Sequence, residues 1–247
     1  MTSLAARDSS LAQIIHFARP SVMAEFGSWE GASAITFLRA AREAKLELTL
    51  ICVDTWLGSP EHWENAFPNS QWSFERLGVV EGEPTVIETF RRAVEAQGMT
   101  RRVKIVRAPT THAAGYISRT FQKLDLLFLD ADHSFRAVRC DLKLAFRLVS
   151  NSGLIAGDDW GWLSVRLAVA TRSIFTRKIY SSPDGSTYVL IRHGSENVES
   201  KFGESNWKRE SAAISLIWVP FLQLFRLLRK QSQIKIDRLY SRIWNRN

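Results

Sequence analysis

Two rhythms of apolar residues alternate along this chain as far as residue 192. Short, nearly continuous apolar runs occur at 22–26, 48–53, 103–107, 124–129, 154–156, 178–181 and 187–192. Between them, at 11–18, 32–45, 85–97, 112–122, 135–148 and 163–171, apolar residues recur every three to four positions. The first kind reads as buried strands and the second as helices with one inward face. Strands that alternate with helices build an α/β domain, so the pattern predicts a mostly parallel, seven-stranded sheet with helices on both faces. Asp184-Gly185 joins the last two strands as a hairpin turn. No internal repeat is present.

Two stretches break the rhythm. Residues 55–83 are polar and dotted with Trp56, Trp63, Phe67, Trp72 and Phe74, and a connection of that length serves a lid more readily than a plain link. Its tryptophans either pack over the sheet edge or stack on a ligand. Residues 196–210 are polar and read as a linker, which divides the chain into a domain at 1–195 and an extension at 196–247. In that extension, 212–228 is apolar but interrupted by Ser215, Pro220, Gln223 and Arg226, and is too short for a membrane span. Ile236, Leu239, Tyr240, Ile243 and Trp244 then share one helical face, with Lys235, Arg238, Arg242 and Arg246 off it. Such a basic amphipathic helix either lies on an anionic membrane or buries its stripe, against the domain or in a homodimer through residues 211–247.

Composition changes this picture little; charge changes it more. The 247 residues are 45% hydrophobic and 23% charged, as in an ordinary globular protein. Of the net charge of +8, residues 196–247 supply five, so the basic excess belongs to the extension and not to the domain. That distribution speaks against a nucleic-acid partner. Cys52 and Cys140 lack metal or redox spacing and read as free thiols. The first twenty residues lack a signal peptide's apolar core, so the expected location is cytoplasmic, with the tail able to touch the inner face of a membrane.

The candidate chemistry sits at strand ends. Leu129-Asp130-Ala131-Asp132-His133 follows the 124–129 run, and Gly157-Asp158-Asp159-Trp160 follows the 154–156 run. Carboxylates at the carboxyl ends of neighbouring parallel strands converge on the crevice where open α/β sheets bind ligands. Clustered there, they raise each other's pKa unless a cation offsets them, and a hard divalent ion such as Mg²⁺ suits an all-oxygen set. Local structure offers a plainer account, in which Asp132, or one of Asp158 and Asp159, caps the helix that follows. Upstream, Glu25-Phe26-Gly27-Ser28-Trp29-Glu30-Gly31 is a strand, a glycine turn and a helix start. Its glycines admit a ligand close to the backbone, but the spacing is not the dinucleotide fingerprint. Asp54 ends the next strand, where a carboxylate can meet ribose hydroxyls.

Together, Glu25–Gly31, Val53-Asp54-Thr55-Trp56, Leu129–His133 and Gly157–Trp160 resemble the class I S-adenosylmethionine-dependent methyltransferases. The closer resemblance is to the metal-dependent sugar O-methyltransferases of the macrocin and novobiocin type, over about residues 10–193. It implies a Rossmann-like fold and an S-adenosylmethionine site at Glu25, Gly27, Trp29, Gly31, Asp54 and Asp130. It also implies Mg²⁺ or Mn²⁺ on Asp130, Asp158 and Asp159, and Asp132 as general base, with His133 a second candidate. The acceptor would be a small-molecule or saccharide hydroxyl. Phe135 stands where a tyrosine is common, and Asn151-Ser152-Gly153 replaces a Pro-Gly-Gly turn; neither removes a proposed ligand. A non-catalytic scaffold with a methyltransferase-like domain is the rival of a different class.

Overall fold

The computed structural model describes residues 3–70, 72–173, 178–192 and 194–211. The expected amphipathic tail helix lies outside them. In chain order the elements are α1 (Ser3–Ala18), β1 (Val22–Phe26), α2 (Ala32–Glu43), β2 (Thr49–Asp54), α3 (Pro60–Trp63), α4 (Val86–Ala96), β3 (Val103–Arg107) and α5 (Thr110–Thr120). Then follow β4 (Leu124–Leu129), α6 (Phe135–Leu148), β5 (Val149–Gly157), α7 (Leu163–Ser173), β6 (Lys178–Ser181), β7 (Tyr188–Ile191), α8 (Glu196–Glu204) and β8 (Lys208–Glu210).

The strands form one sheet in the order β3-β2-β1-β4-β5-β7-β6-β8. The first five are parallel; β7, β6 and β8 join antiparallel. Side chains of successive strand residues point to opposite faces, and here both faces are buried. Met23, Leu50, Cys52, Leu126 and Phe128 meet Leu11, Phe37 and Phe90 from α1, α2 and α4. Ala24, Ile51, Val53, Leu127 and Ile155 meet Ala113, Leu142 and Val165 from α5, α6 and α7. That double burial explains why the strands read as continuous apolar runs.

The sheet has eight strands, where seven were expected, and residues 196–210 are structured where a linker was expected. α8 packs Phe202 into the core at 0% exposure, and the segment after it buries Trp207 at 5%. β8 then pairs with β6 through Ile179↔Glu210 and Ser181↔Lys208. Two aromatic anchors thus hold a polar stretch to the domain, and the polar composition reflects its exposed edge position. Between β1 and β4 the chain direction of winding reverses, which creates the crevice at the carboxyl ends of the strands.

Candidate active site

The glycine turn closes directly over the β1–β4 junction. Gly27 N–H donates to the Val53 carbonyl at 2.8 Å, and Asp130 N–H donates to the Phe26 carbonyl at 2.7 Å. A β-carbon at Gly27 would sit 2.0 Å from the Asp130 carbonyl oxygen, and its φ of +91° already excludes most side chains. Gly31, at φ +94°, starts α2, and a β-carbon there would sit 2.9 Å from the Phe90 ring.

Asp54 braces this turn. Its Oδ2 accepts the Trp29 N–H and its Oδ1 the Trp56 N–H, each at 2.8 Å. Both tryptophans have left-handed backbones, at φ 43° and 52°, a conformation that costs about 1–3 kcal/mol and persists only when its surroundings hold it. The Trp56 indole N–H also donates to the Trp29 carbonyl at 2.7 Å. Each Asp54 oxygen retains accepting capacity beyond these bonds. Glu25 is fully buried beneath the turn and accepts the Ser33 hydroxyl. Burial pushes its carboxyl up to about 7, against the Ser33 and Ser28 hydroxyls, which lower it.

The acidic residues gather beside this turn, and two cations of the chain itself lie among them. From α1, Arg7 Nε donates to Asp158 Oδ2 at 2.7 Å and its Nη2 to Asp130 Oδ2 at 3.0 Å. From the β4–α6 connection, His133 Nε2 lies 2.7 Å from Asp159 Oδ2 and 3.4 Å from Asp130 Oδ1. Burial pulls the His133 imidazole down, but its bonds to Asp130 and Asp159 outweigh that and hold it up near 10. It is therefore protonated at neutral pH. Asp130 is lifted to about 6, first by burial, with His133 opposing and Asp158 adding to the rise. Burial likewise raises Asp158, with Arg7 opposing. Asp159 takes a left-handed backbone at φ 57°, which lets two consecutive carboxylates serve different partners.

The expected residues are thus brought together in part. Asp130, His133 and Asp159 place donor atoms within 4.8 Å of one another. Asp158, expected as a third metal ligand, is instead engaged by Arg7, and its buried Oδ1 has no hydrogen-bond partner among the described residues. A set of carboxylates with one imidazole and an orphaned buried oxygen beside it fits a divalent cation. Asp132 is exposed, and its Oδ1 accepts the Ser134 N–H at 2.7 Å. The helix cap itself is Ser134, whose hydroxyl accepts the Ala137 N–H, so Asp132 shapes the approach to α6 without capping it. Asp132, His133 and Asp158 line one cleft with Asp141 and Tyr188.

Of the tryptophans of 55–83, one meets the packing expectation. Trp56 is core, at 0% exposure and 5.3 Å from the Phe90 ring. Trp63, Phe67 and Trp72 are exposed, and Trp72 packs at a tilt against His62, which packs against Trp29. Two residues of the site escaped the sequence reading. Trp162 is 55% exposed and stands 5.5 Å from the His133 ring. Arg7 lies four residues before Leu11 and seven before Ile14, on the apolar stripe of α1; a charge in that register was the available signal.

Residues 24–160 match the family model described as a methyltransferase domain, which is more than half of the chain. The chain belongs to that methyltransferase family. Among solved structures, the calicheamicin methyltransferase CalS11 is similar at 19% identity and TM-score 0.54, over 78% of this chain and 79% of that one. The SAH-bound methyltransferase PaMTH1 of Podospora anserina is similar at 15% and 0.54, over 75% and 77%. An O-methyltransferase from Bacillus cereus in complex with SAH is similar at 12% and 0.52, over 75% and 80%. These likenesses concern the fold. No curated protein sequence matches. Motifs, family and fold agree on a class I S-adenosylmethionine-dependent methyltransferase.

Proposed function

We propose that this methyltransferase transfers the methyl group of S-adenosylmethionine to a hydroxyl oxygen of a small molecule or saccharide, assisted by Mg²⁺ or Mn²⁺. The observation that carries the reading is the juxtaposition, across the β1–β4 junction, of the Asp54-braced glycine turn with the acidic cluster and the exposed Asp132. The O-methyltransferase and SAH named for the Bacillus cereus structure support it.

In this reading Gly27 and Gly31 let the backbone approach the donor, and Asp54 accepts from its ribose while holding Trp29 and Trp56. Asp130, Asp159 and the His133 imidazole, once deprotonated, would hold the metal ion, with Asp158 joining them once Arg7 has left it. A divalent ion bound there polarises a hydroxyl that is otherwise too weakly acidic to react. Asp132 takes the proton, since it is exposed and lines a cleft beside His133 and Asp158, whereas His133 already carries a proton and is engaged by two carboxylates.

The test is transfer of labelled methyl from S-adenosylmethionine to a panel of catechol and sugar acceptors. Asp132→Asn should cut turnover by about 10²–10⁴-fold, the usual contribution of a general base, and leave donor affinity unchanged. Undiminished turnover in Asp132→Asn would remove that residue from the chemistry. A wild type that binds donor yet methylates no hydroxyl, with or without metal, would contradict the O-methyl reading.

A further inference from the structure

We propose that Arg7 is a tethered cation that competes with the divalent metal ion for Asp130 and Asp158, so that α1 controls entry of the metal. The inference rests on the metal-assisted reading above and concerns how that site is regulated.

Arg7 reaches the cluster from a distant part of the chain, 123 residues before Asp130 and 151 before Asp158. Its planar fork divides between the two carboxylates, a geometry that a guanidinium fits and a point charge does not. The seat is not saturated by it, because Asp158 Oδ1 is buried without a partner among the described residues. Asp130 is shared in a defined way: Oδ2 faces Arg7 and Oδ1 faces His133. An ion drawn onto both Asp130 and Asp158 would therefore have to enter where the guanidinium lies. A guanidinium cannot shed its proton, so like-charge repulsion can be relieved only by displacement.

The lever needed for that displacement is small. Leu11, Ile14 and Ile15 anchor α1 in the core at 0% exposure, all downstream of Arg7. Only residues Ser3 to Ala6 of the helix precede it. Apart from Arg7, the described side-chain ties of this end of α1 to other elements are Thr36 to Asp8, at 3.1 Å and exposed, and Ser10 to Asp184, at 3.5 Å. The first turns of a helix are the part that opens most readily. Arg7 thus keeps the carboxylates compensated and in place without metal, and surrenders them when the ion arrives.

Mn²⁺ binding to the full-length protein, read from loss of the free-ion electron paramagnetic resonance signal, tests this without any acceptor. Arg7→Met keeps the apolar stem and removes the charge; it should bind Mn²⁺ about tenfold or more tightly than wild type, within the usual span of coupling between linked sites. In wild type, saturating Mn²⁺ should also raise amide exchange over residues 3–10. Unchanged or weaker Mn²⁺ binding by a folded Arg7→Met variant overturns the proposal and leaves the metal site standing. If Arg7→Met fails to fold, Arg7→Lys decides: it should bind Mn²⁺ more tightly than wild type, because one ammonium cannot fork across both carboxylates, and equal or weaker binding overturns the proposal. Absence of Mn²⁺ binding in wild type and variants alike overturns the metal reading itself, and this inference with it.

Discussion

Glu25 shows how a single side chain is set by the face it occupies. It shares the strand face of Met23, which is otherwise apolar, and burial raises its carboxyl to about 7 from an ordinary 4.5. A carboxyl raised in the folded state contributes stability that is fully present below its unfolded pKa and is lost as pH rises through the folded one. Over that window, from about pH 4.5 to 7, the loss is about 3 kcal/mol, taking about 1.4 kcal/mol per unit. Chemical denaturation of Glu25→Gln across pH 5 to 8 should therefore show a flatter profile than wild type, with the variant gaining most at pH 8. Parallel profiles would contradict this. Gly27 is constrained by backbone alone. Gly27→Ala should cost at least about 1–3 kcal/mol from its φ, and more from the 2.0 Å approach to Asp130, which a thermal melt would register as a lower midpoint.

At the scale of elements, β1, β3, β4 and α6 were legible in the sequence because each is a largely apolar run or a clean helical period. β5 extends from Val149, earlier than the 154–156 run indicates, because pairing with Leu124 continues the strand through the polar Ser150-Asn151-Ser152. α1 begins at Ser3 and not near Leu11, since Arg7, Asp8 and Ser9 interrupt the apolar rhythm without interrupting the helix. α8 and β8 were hidden by polar composition, although Phe202 and Trp207 anchor them. Phe202→Ala should destabilise the protein by about 3–5 kcal/mol, the cost of deleting a buried aromatic, in a denaturant titration; a change within error would mean that residues 196–210 behave as a linker after all. The acidic pairs were legible because they end strands, and strand ends meet at one edge. Arg7 was not, because a charge on the apolar stripe of α1 marks an unusual position without naming partners more than a hundred residues away.

For the whole molecule, strand order decides where chemistry can occur. Placing β1 beside β4 brings the glycine turn against Asp130, and placing β5 beside β4 brings Asp158 and Asp159 alongside. Three carboxylates are then balanced by Arg7 and His133, so the edge of the sheet holds concentrated charge without needing the basic extension. Among the described residues no helix is long and apolar enough to cross a membrane. In the proposed reaction, S-adenosylmethionine binds this edge at the Asp54-braced turn. Calorimetric titration of the full-length protein with S-adenosylmethionine tests it most directly, with Asp54→Ala as the comparison. One-to-one binding in wild type, clearly weakened in a folded Asp54→Ala, is the predicted result. No binding to wild type, with or without Mg²⁺, would contradict the account.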